Sequence, residues 1–233
     1  MKNQYFGDIR DLFKFDLYDS LVSNVPFHHL FYLPMLTPND STLHGEHRNY
    51  EMAPAGTRNN DLITFFRSHA AQRDRRDVRH IEDYFISKNQ MIHIYDNAGA
   101  TWFKHQGRER YFAEIPPNEL SKSLILVDPD VGLEPRTSDD RHIRYFELFY
   151  LFEKMNQDSV LMLFQFLNPT RRMNRAMIER RKLAELFDGM PLAIADNNVV
   201  FLLIGKSREL KDSLSMVLDS YTSIYSKLER WKP

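Results

Sequence analysis

Short apolar runs recur along the chain and are separated by stretches of helical periodicity, and this alternation constrains the fold more than any other feature. The runs lie in His28–Leu36, Met91–Asp96, Leu124–Asp128 and Ser159–Phe166. LILVD is the clearest: an almost unbroken apolar run fits a strand covered on both faces. Strands that alternate with helices need crossovers, which give a mostly parallel sheet with helices on both sides. Near the end, PLAIA and VVFLLIG flank DNN (Asp196 to Asn198), turn residues that predict a hairpin and an antiparallel strand at one sheet edge. The expectation is a three-layer α/β fold with a C-terminal antiparallel hairpin. No linker, repeat or low-complexity tract divides residues 1–233, so one domain is expected.

The helical segments are read over Asp11–Asn24, ended by Pro26, and over Asp61–Lys88 as one helix or two. Further helices are read over Asp139–Asn156, Arg171–Phe187 and Ser207–Trp231. The first has an apolar stripe of Leu12, Phe15, Tyr18 and Val22 and reads as amphipathic. Residues 97–115 fit either a hairpin or an irregular excursion. Thr37–Asn60 is polar and broken by prolines and glycines, a long loop of the kind that is usually functional or disordered.

Lys plus Arg number 31 and Asp plus Glu 32, so net charge gives no reason to expect a polyanion or membrane surface as partner. There is no cysteine, which excludes thiolate nucleophiles and Cys-ligated metal and is compatible with a reducing compartment. Asp8 and Asp11 fall where a signal peptide needs its apolar run, and no later run is long enough to span a bilayer. A cytoplasmic protein without membrane contact is expected.

Ligands of an open α/β sheet bind beyond the carboxyl ends of its strands, which is where LILVDPDVGLE delivers Asp128, Asp130 and Glu134. Pro129 and Gly132 predict a sharp turn that gathers these carboxylates. Such a group can bind a divalent cation or supply a general base, and it can equally do no more than cap the turn. A second constellation, GDIRDLFK, puts Asp8, Asp11 and Lys14 at spacings of three, hence on one helical face if the helix starts there. Capping explains Asp8 equally well. The loop LTPNDSTLHGEHRNY offers Asp40, His44, His47 and Tyr50 as substrate contacts; its His-x-x-His spacing lacks the helical context and third ligand of a zinc site. Two arginine-rich stretches, one with Arg75 and Arg76 and the other RRMNRAMIERRK, could contact phosphates or be ordinary solvated helix faces.

Three of these segments together, NQYFGDIRDLFKFDL, LTPNDSTLHGEHRNY and LILVDPDVGLE, resemble a family of uncharacterised bacterial and phage proteins. Its pattern is NQYxGDxxDxxKY, LTPDD with a following GxHxxY, and DPDxGLE. This chain departs from it at Phe15 and Asn39. More distantly the arrangement resembles the class I methyltransferase fold, above all the adenine-N6 methyltransferases of ribosomal RNA. There Asp128-Pro129-Asp130 takes the place of a DPPY motif, and the terminal hairpin matches that fold's reversed strand. The resemblance implies S-adenosylmethionine as cofactor and nucleic acid as partner, with Asp128 orienting a target amine and Asp8 and Lys14 shaping the pocket. DPDV lacks the aromatic residue of DPPY that stacks on a flipped base, and no closely spaced glycines follow the first strand.

Three functions therefore stand at this point. One is a methyltransferase-like enzyme of nucleic acid using Asp128, Asp130, Asp8 and Lys14, with Asp11, Asp40, His47, Tyr50, Arg75 and Arg76 as binding residues. Another is a Mg²⁺- or Mn²⁺-dependent nuclease or phosphoesterase with Asp128, Asp130 and Glu134 as metal ligands. The third is a catalytically silent member of an enzyme fold that binds nucleic acid or protein, in a phage or phage-defence setting.

Overall fold

The computed structural model describes residues 1–42, 45–95, 103, 107–135, 137, 139–167 and 172–231; for 172–176 the description is of the backbone. His44, Arg171 and most of 97–106, where a hairpin or an irregular excursion is expected, lie outside the described residues. Seven strands form the main sheet in the order β2-β1-β3-β6-β8-β7-β9. They are β1 (His29–Pro34), β2 (Ile92–Ile94), β3 (Ser123–Asp128), β6 (Val160–Phe166), β7 (Leu192–Ala195), β8 (Val199–Gly205) and β9 (Glu229–Trp231). Two short strands, β4 (Gly132–Leu133) and β5 (His142–Ile143), pair in parallel apart from it. The pairing directions leave β2, β1, β3, β6 and β7 running one way and β8 and β9 the other. This is the expected three-layer, mostly parallel α/β architecture.

Successive strand residues face opposite layers, and the core divides accordingly. Leu124 and Leu126 of β3 join one apolar cluster and Ile125 and Val127 the other. The first cluster packs against α1 (Ile9–Asn24), α2 (Asn60–His69), α3 (Ile81–Ser87) and α7 (Arg208–Ile224). The second packs against α4 (Arg108–Ala113), α5 (Tyr145–Lys154) and α6 (Arg172–Leu186). The chain passes from β1 outward to β2 and then returns across β1 to β3. Strand order therefore reverses between β1 and β3, whose carboxyl ends, Pro34 and Asp128, are paired. In an open α/β sheet this switch point is where a ligand crevice forms.

Three expectations are corrected in detail. The late hairpin does not simply extend an edge: β8 inserts between β6 and β7, and the chain's last residues add β9 outside β7. All seven residues of β8 are buried, and a run apolar on both faces belongs inside a sheet. The stretch read as a terminal helix accordingly ends at Ile224 and turns into that strand. The first helix is not amphipathic: Asp11 through Tyr18 are all buried, because the sheet covers one side and α2 and α7 the others. Phe15 meets Tyr32 of β1 edge-on at 5.6 Å, and Phe13 meets Phe201 of β8 at 4.9 Å. Among the described residues no helix is long and apolar enough to cross a membrane.

Candidate functional site

A helix buried on every side can carry charge only if each charge finds a partner. On α1 those charges are Asp11 and Lys14, one turn apart, and Asp16, whose Oδ2 accepts from the Tyr221 and Tyr225 hydroxyls at 2.6 and 3.1 Å. Asp8 caps the helix, its Oδ1 accepting from the N–H groups of Arg10 (2.8 Å) and Asp11 (2.9 Å). Asp11 Oδ2 accepts from Gly7 N at 3.0 Å, which leaves Oδ1 for Lys14 Nζ at 2.6 Å. Lys14 Nζ also donates to Asp128 Oδ2 at 2.7 Å. The strand period explains this meeting: residues 124, 126 and 128 share the face that packs on α1. Tyr32 lies on the same face of β1, and its hydroxyl donates to Asp128 Oδ2 at 2.6 Å. Asp128 is only 1 % exposed, and the side-chain donors that reach it among the described residues, Lys14 and Tyr32, both sit on its Oδ2.

Charge is unbalanced in this group, because one ammonium faces two carboxylates. Burial pulls Lys14 toward its neutral form, yet Asp11 and Asp128 together hold it more firmly protonated than a free lysine. Burial pushes Asp11 up to about 6, with Lys14 opposing and the Asp8 and Asp128 charges reinforcing the rise. Burial, and then the Asp128 charge, raise the Tyr32 hydroxyl well above its usual range, so it remains a donor. A carboxyl whose folded pKa exceeds its unfolded value of 3.8 contributes stability that is full below about pH 4 and lost as pH rises through about 6. Asp11→Asn cannot ionise and should flatten this slope. Urea midpoints at pH 5 and pH 8 will check it: the wild type should lose roughly 1–2 kcal/mol more than the variant across that interval.

The pocket at this place is lined by Asp8, Asp11, Lys14, Asp128, Pro129 and Asp130, together with Met1, Tyr5, Arg10, Phe164 and Phe166. Sequence reasoning named five of these and missed the aromatic residues and Arg10. Phe166 ends β6 beside β3, and the Arg10 guanidinium sits 4.9 Å over its ring. The only sequence signal for Phe166 was that its strand ends next to the one that ends in Asp128.

The remaining expected contacts differ. Asp130 lines the same pocket as Asp128 but its carboxylate has other partners: its Oδ2 accepts from Thr37 Oγ1 at 3.3 Å and lies 3.8 Å from Lys2 Nζ. Glu134 is carried off by β4, and its Oε1 accepts from Tyr145 N at 2.8 Å, at the start of α5. Gly132 does turn at φ +135°, but the turn leads onto β4, because Val131 O accepts from Phe166 N at the end of β6 (2.8 Å). The expected metal set of Asp128, Asp130 and Glu134 is therefore not assembled. Among the described residues no group of three or more His, Asp or Glu side chains is arranged to hold a metal ion. The Lys14 ammonium already stands between Asp11 and Asp128, where a bridging Mg²⁺ or Mn²⁺ would need to be.

The long loop is fastened to the start of α1 and does not line the pocket. His47 is exposed, and its backbone oxygen accepts from Ile9 N at 2.9 Å; Tyr50 is buried, with its hydroxyl donating to Gly7 O at 2.6 Å. Asp40 pairs with Lys2, which holds its carboxyl below the usual range, and accepts from Gln4 Nε2 at 2.9 Å. Arg76 is a structural cation: it is 6 % exposed, donates to Gln4 O and Ala70 O at 2.9 Å, and pairs with Glu46 at 2.7 Å. Arg75 is exposed on a surface turn away from the pocket lining. In the second basic stretch Arg180 is likewise structural, bound to Pro191 O and Trp231 O, while Arg181 and Lys182 are exposed.

S-adenosylmethionine does not fit this arrangement. The cavity is about 40 Å³, against roughly 300–1,000 Å³ for small-molecule sites in general. The segment after β1 has no glycine through Asp40, and Met35 and Leu36 there are buried. Met1 N donates to Met35 O at 2.9 Å and approaches Asp128 O at 3.5 Å, so the strand ends at the switch point are already covered.

No protein-family model matches the chain, and no curated protein matches it either. The crystal structure of protein LPL1258 from Legionella pneumophila, family DUF519, is similar in fold, with 12% identity over 97% of each chain and a TM-score of 0.49. No residue role is transferred from it.

Proposed function

We propose that the protein is a nucleic-acid-binding member of a methyltransferase-like fold that holds the exocyclic amine of an unpaired base against Asp128. The observation that carries this reading is the Asp128 carboxylate. One oxygen is pinned by Lys14 and Tyr32, and the other is an acceptor that neither of them reaches, in a residue that lines the cavity. A ligand N–H that replaces water on that oxygen makes a hydrogen bond to a charged group, of the kind that contributes about 1.5–3 kcal/mol net. The excess negative charge of two carboxylates around one ammonium favours a donor over any anion.

The size of the cavity fits the head of such a group. At about 40 Å³ it takes an amine and not a whole base. The ring would lie at the mouth, where Tyr5 and Phe166 are partly exposed and Arg10 sits over Phe166. Aromatic side chains add about 1–3 kcal/mol per stacked base, and an arginine beside them suits the attached phosphate. Tyr5 and Phe166 thus stand in space where DPDV lacks an aromatic in sequence. A fold alone carries no activity, so the function proposed is binding and not methyl transfer.

Fluorescence anisotropy with short single-stranded homopolymers tests the reading. Adenine and cytosine carry an exocyclic amine on the edge that would enter; thymine and uracil do not. Oligo-A or oligo-C should bind at least tenfold more tightly than oligo-T, from about 1.4 kcal/mol or more of discrimination. In Asp128→Asn the amide oxygen can keep Lys14 and Tyr32 while its NH₂ faces the cavity, which reverses the hydrogen-bonding sense. That variant should lose the discrimination and remain folded. Equal binding of all homopolymers by the wild type, or unchanged discrimination in Asp128→Asn, would sink the proposal.

A further inference from the structure

We infer that the outer face of α5, with the groove between α4 and α5, is where two copies of this chain associate about a two-fold axis, their α5 helices antiparallel. α5 is apolar around most of its circumference. Leu148, Leu151 and Phe152 are buried in the core beneath it, while Phe146, Phe149 and Tyr150 on the other side remain 57, 38 and 37 % exposed. A helix apolar on both sides belongs in an interior, yet this one has water on its outer side. At roughly 200 Å² for a whole aromatic side chain, the three rings leave about 250 Å² of apolar surface in water. That surface continues onto α6: Lys182 Nζ stands 5.7 Å over the Tyr145 ring, and Met177 and Ile178, one turn earlier, are exposed. Scattered apolar residues need no explanation, whereas a contiguous patch marks a contact surface.

A second copy is the occupant that fits, because knob and hole are neighbours on the same patch. The groove is lined by Glu109, Phe112, Ala113, Phe146, Glu147 and Tyr150 and encloses about 290 Å³, whereas a cavity of about 150 Å³ already takes a benzene ring. Its Glu147 wall is neutralised by Arg108, whose Nε and Nη2 donate to it at 2.6 Å, so the lining offers chiefly apolar surface. Phe146 forms one wall of the hole and is also the most exposed of the three rings. In an isologous contact each copy inserts the same residue into the other, which requires knob and hole to lie side by side near the axis. The charges agree. Besides the buried Arg108–Glu147 pair, the charged residues of α4, α5 and their caps are Glu109, Arg110, Glu114, Arg144, Glu153 and Lys154, three of each sign. A neutral rim suits a like partner and gives no pull on a polyanion. Along α5 the signs are ordered: the Arg144 guanidinium lies 5.8 Å over the Phe146 ring at the start, and Glu153 ends the same stripe two turns on. Antiparallel α5 helices set each Arg144 against the partner's Glu153, whereas parallel helices would bring like charges together.

Sedimentation equilibrium of the full chain tests this. The wild type should pass from monomer to dimer as its concentration rises between about 1 and 100 μM. Phe146→Asp places a charge at an exposed position, so the chain should still fold, which a thermal melt checks, while the dimer Kd rises at least about thirtyfold, as on loss of a central aromatic anchor. Arg144→Glu and Glu153→Arg should each weaken association, and the two together should restore it toward the wild type. Three results would each overturn the inference: a wild type that stays monomeric at the highest concentration, a dimer whose Kd is unchanged in Phe146→Asp, or a double variant that associates no more tightly than either single one. The patch belongs to the layer of α4, α5 and α6, whereas the Asp128 carboxylate faces α1. Phe146→Asp should therefore keep the oligonucleotide discrimination of the wild type, so the dimer and the base-binding reading stand or fall separately.

Discussion

Lys14→Met is expected to destabilise the fold by about 3–5 kcal/mol, the range for removing one partner of a buried ion pair. Lys14 is 1 % exposed and is the cation that bonds both Asp11 and Asp128. Methionine fills a similar volume, so loss of packing is small and the penalty is electrostatic. It arises because two carboxylates are left buried without an opposite charge. The effect should depend on pH with a defined sign. Below about pH 6 Asp11 can take up a proton, which leaves one charge where there were two, so the loss is smaller at pH 5 than at pH 8. Urea denaturation at both values measures it. A loss under about 1 kcal/mol at pH 8 would mean that water reaches the pair and that the group is not the dry network described above.

Gly7→Ala is expected to cost about 2–5 kcal/mol by a different route, backbone strain together with overpacking. Gly7 has φ +75°, and a Cβ there would lie 2.5 Å from the Ala70 Cβ at the end of α2. The same residue gives its N–H to Asp11 and receives the Tyr50 hydroxyl, so a shift that relieves the clash moves the whole acidic group. The variant should therefore lose oligonucleotide discrimination as well as stability. A thermal melt together with the anisotropy assay checks both: destabilisation with discrimination intact would show that the start of α1 does not set the geometry at Asp128.

Much of the layer structure was legible because hydrophobic periodicity is a local property of the chain. The LILVD run, the helix ended before Pro26 and the hairpin around Asp196–Asn198 each follow from residues within a few positions of one another. The spacing of three from Asp8 to Asp11 to Lys14 was legible in the same way, since one helical turn decides it. The glycine before Asp8 carried a signal that only the fold explains, namely the close approach of Ala70.

What the sequence by itself determined was therefore the alternation of strands and helices and the candidate pairing of acids with Lys14 on one helical face. Only the tertiary structure decided which acids meet. Strand parity turned Asp128 toward α1, Asp130 was drawn to Thr37 and Lys2, and β4 carried Glu134 to the start of α5. Likewise a basic stretch gives no hint that Arg76 is buried against Glu46 and backbone oxygens. The physical reason is the same in each case. Local spacing fixes the direction in which a side chain leaves its own element, whereas its partner is set by which other element lies there, and that depends on how the sheet is ordered.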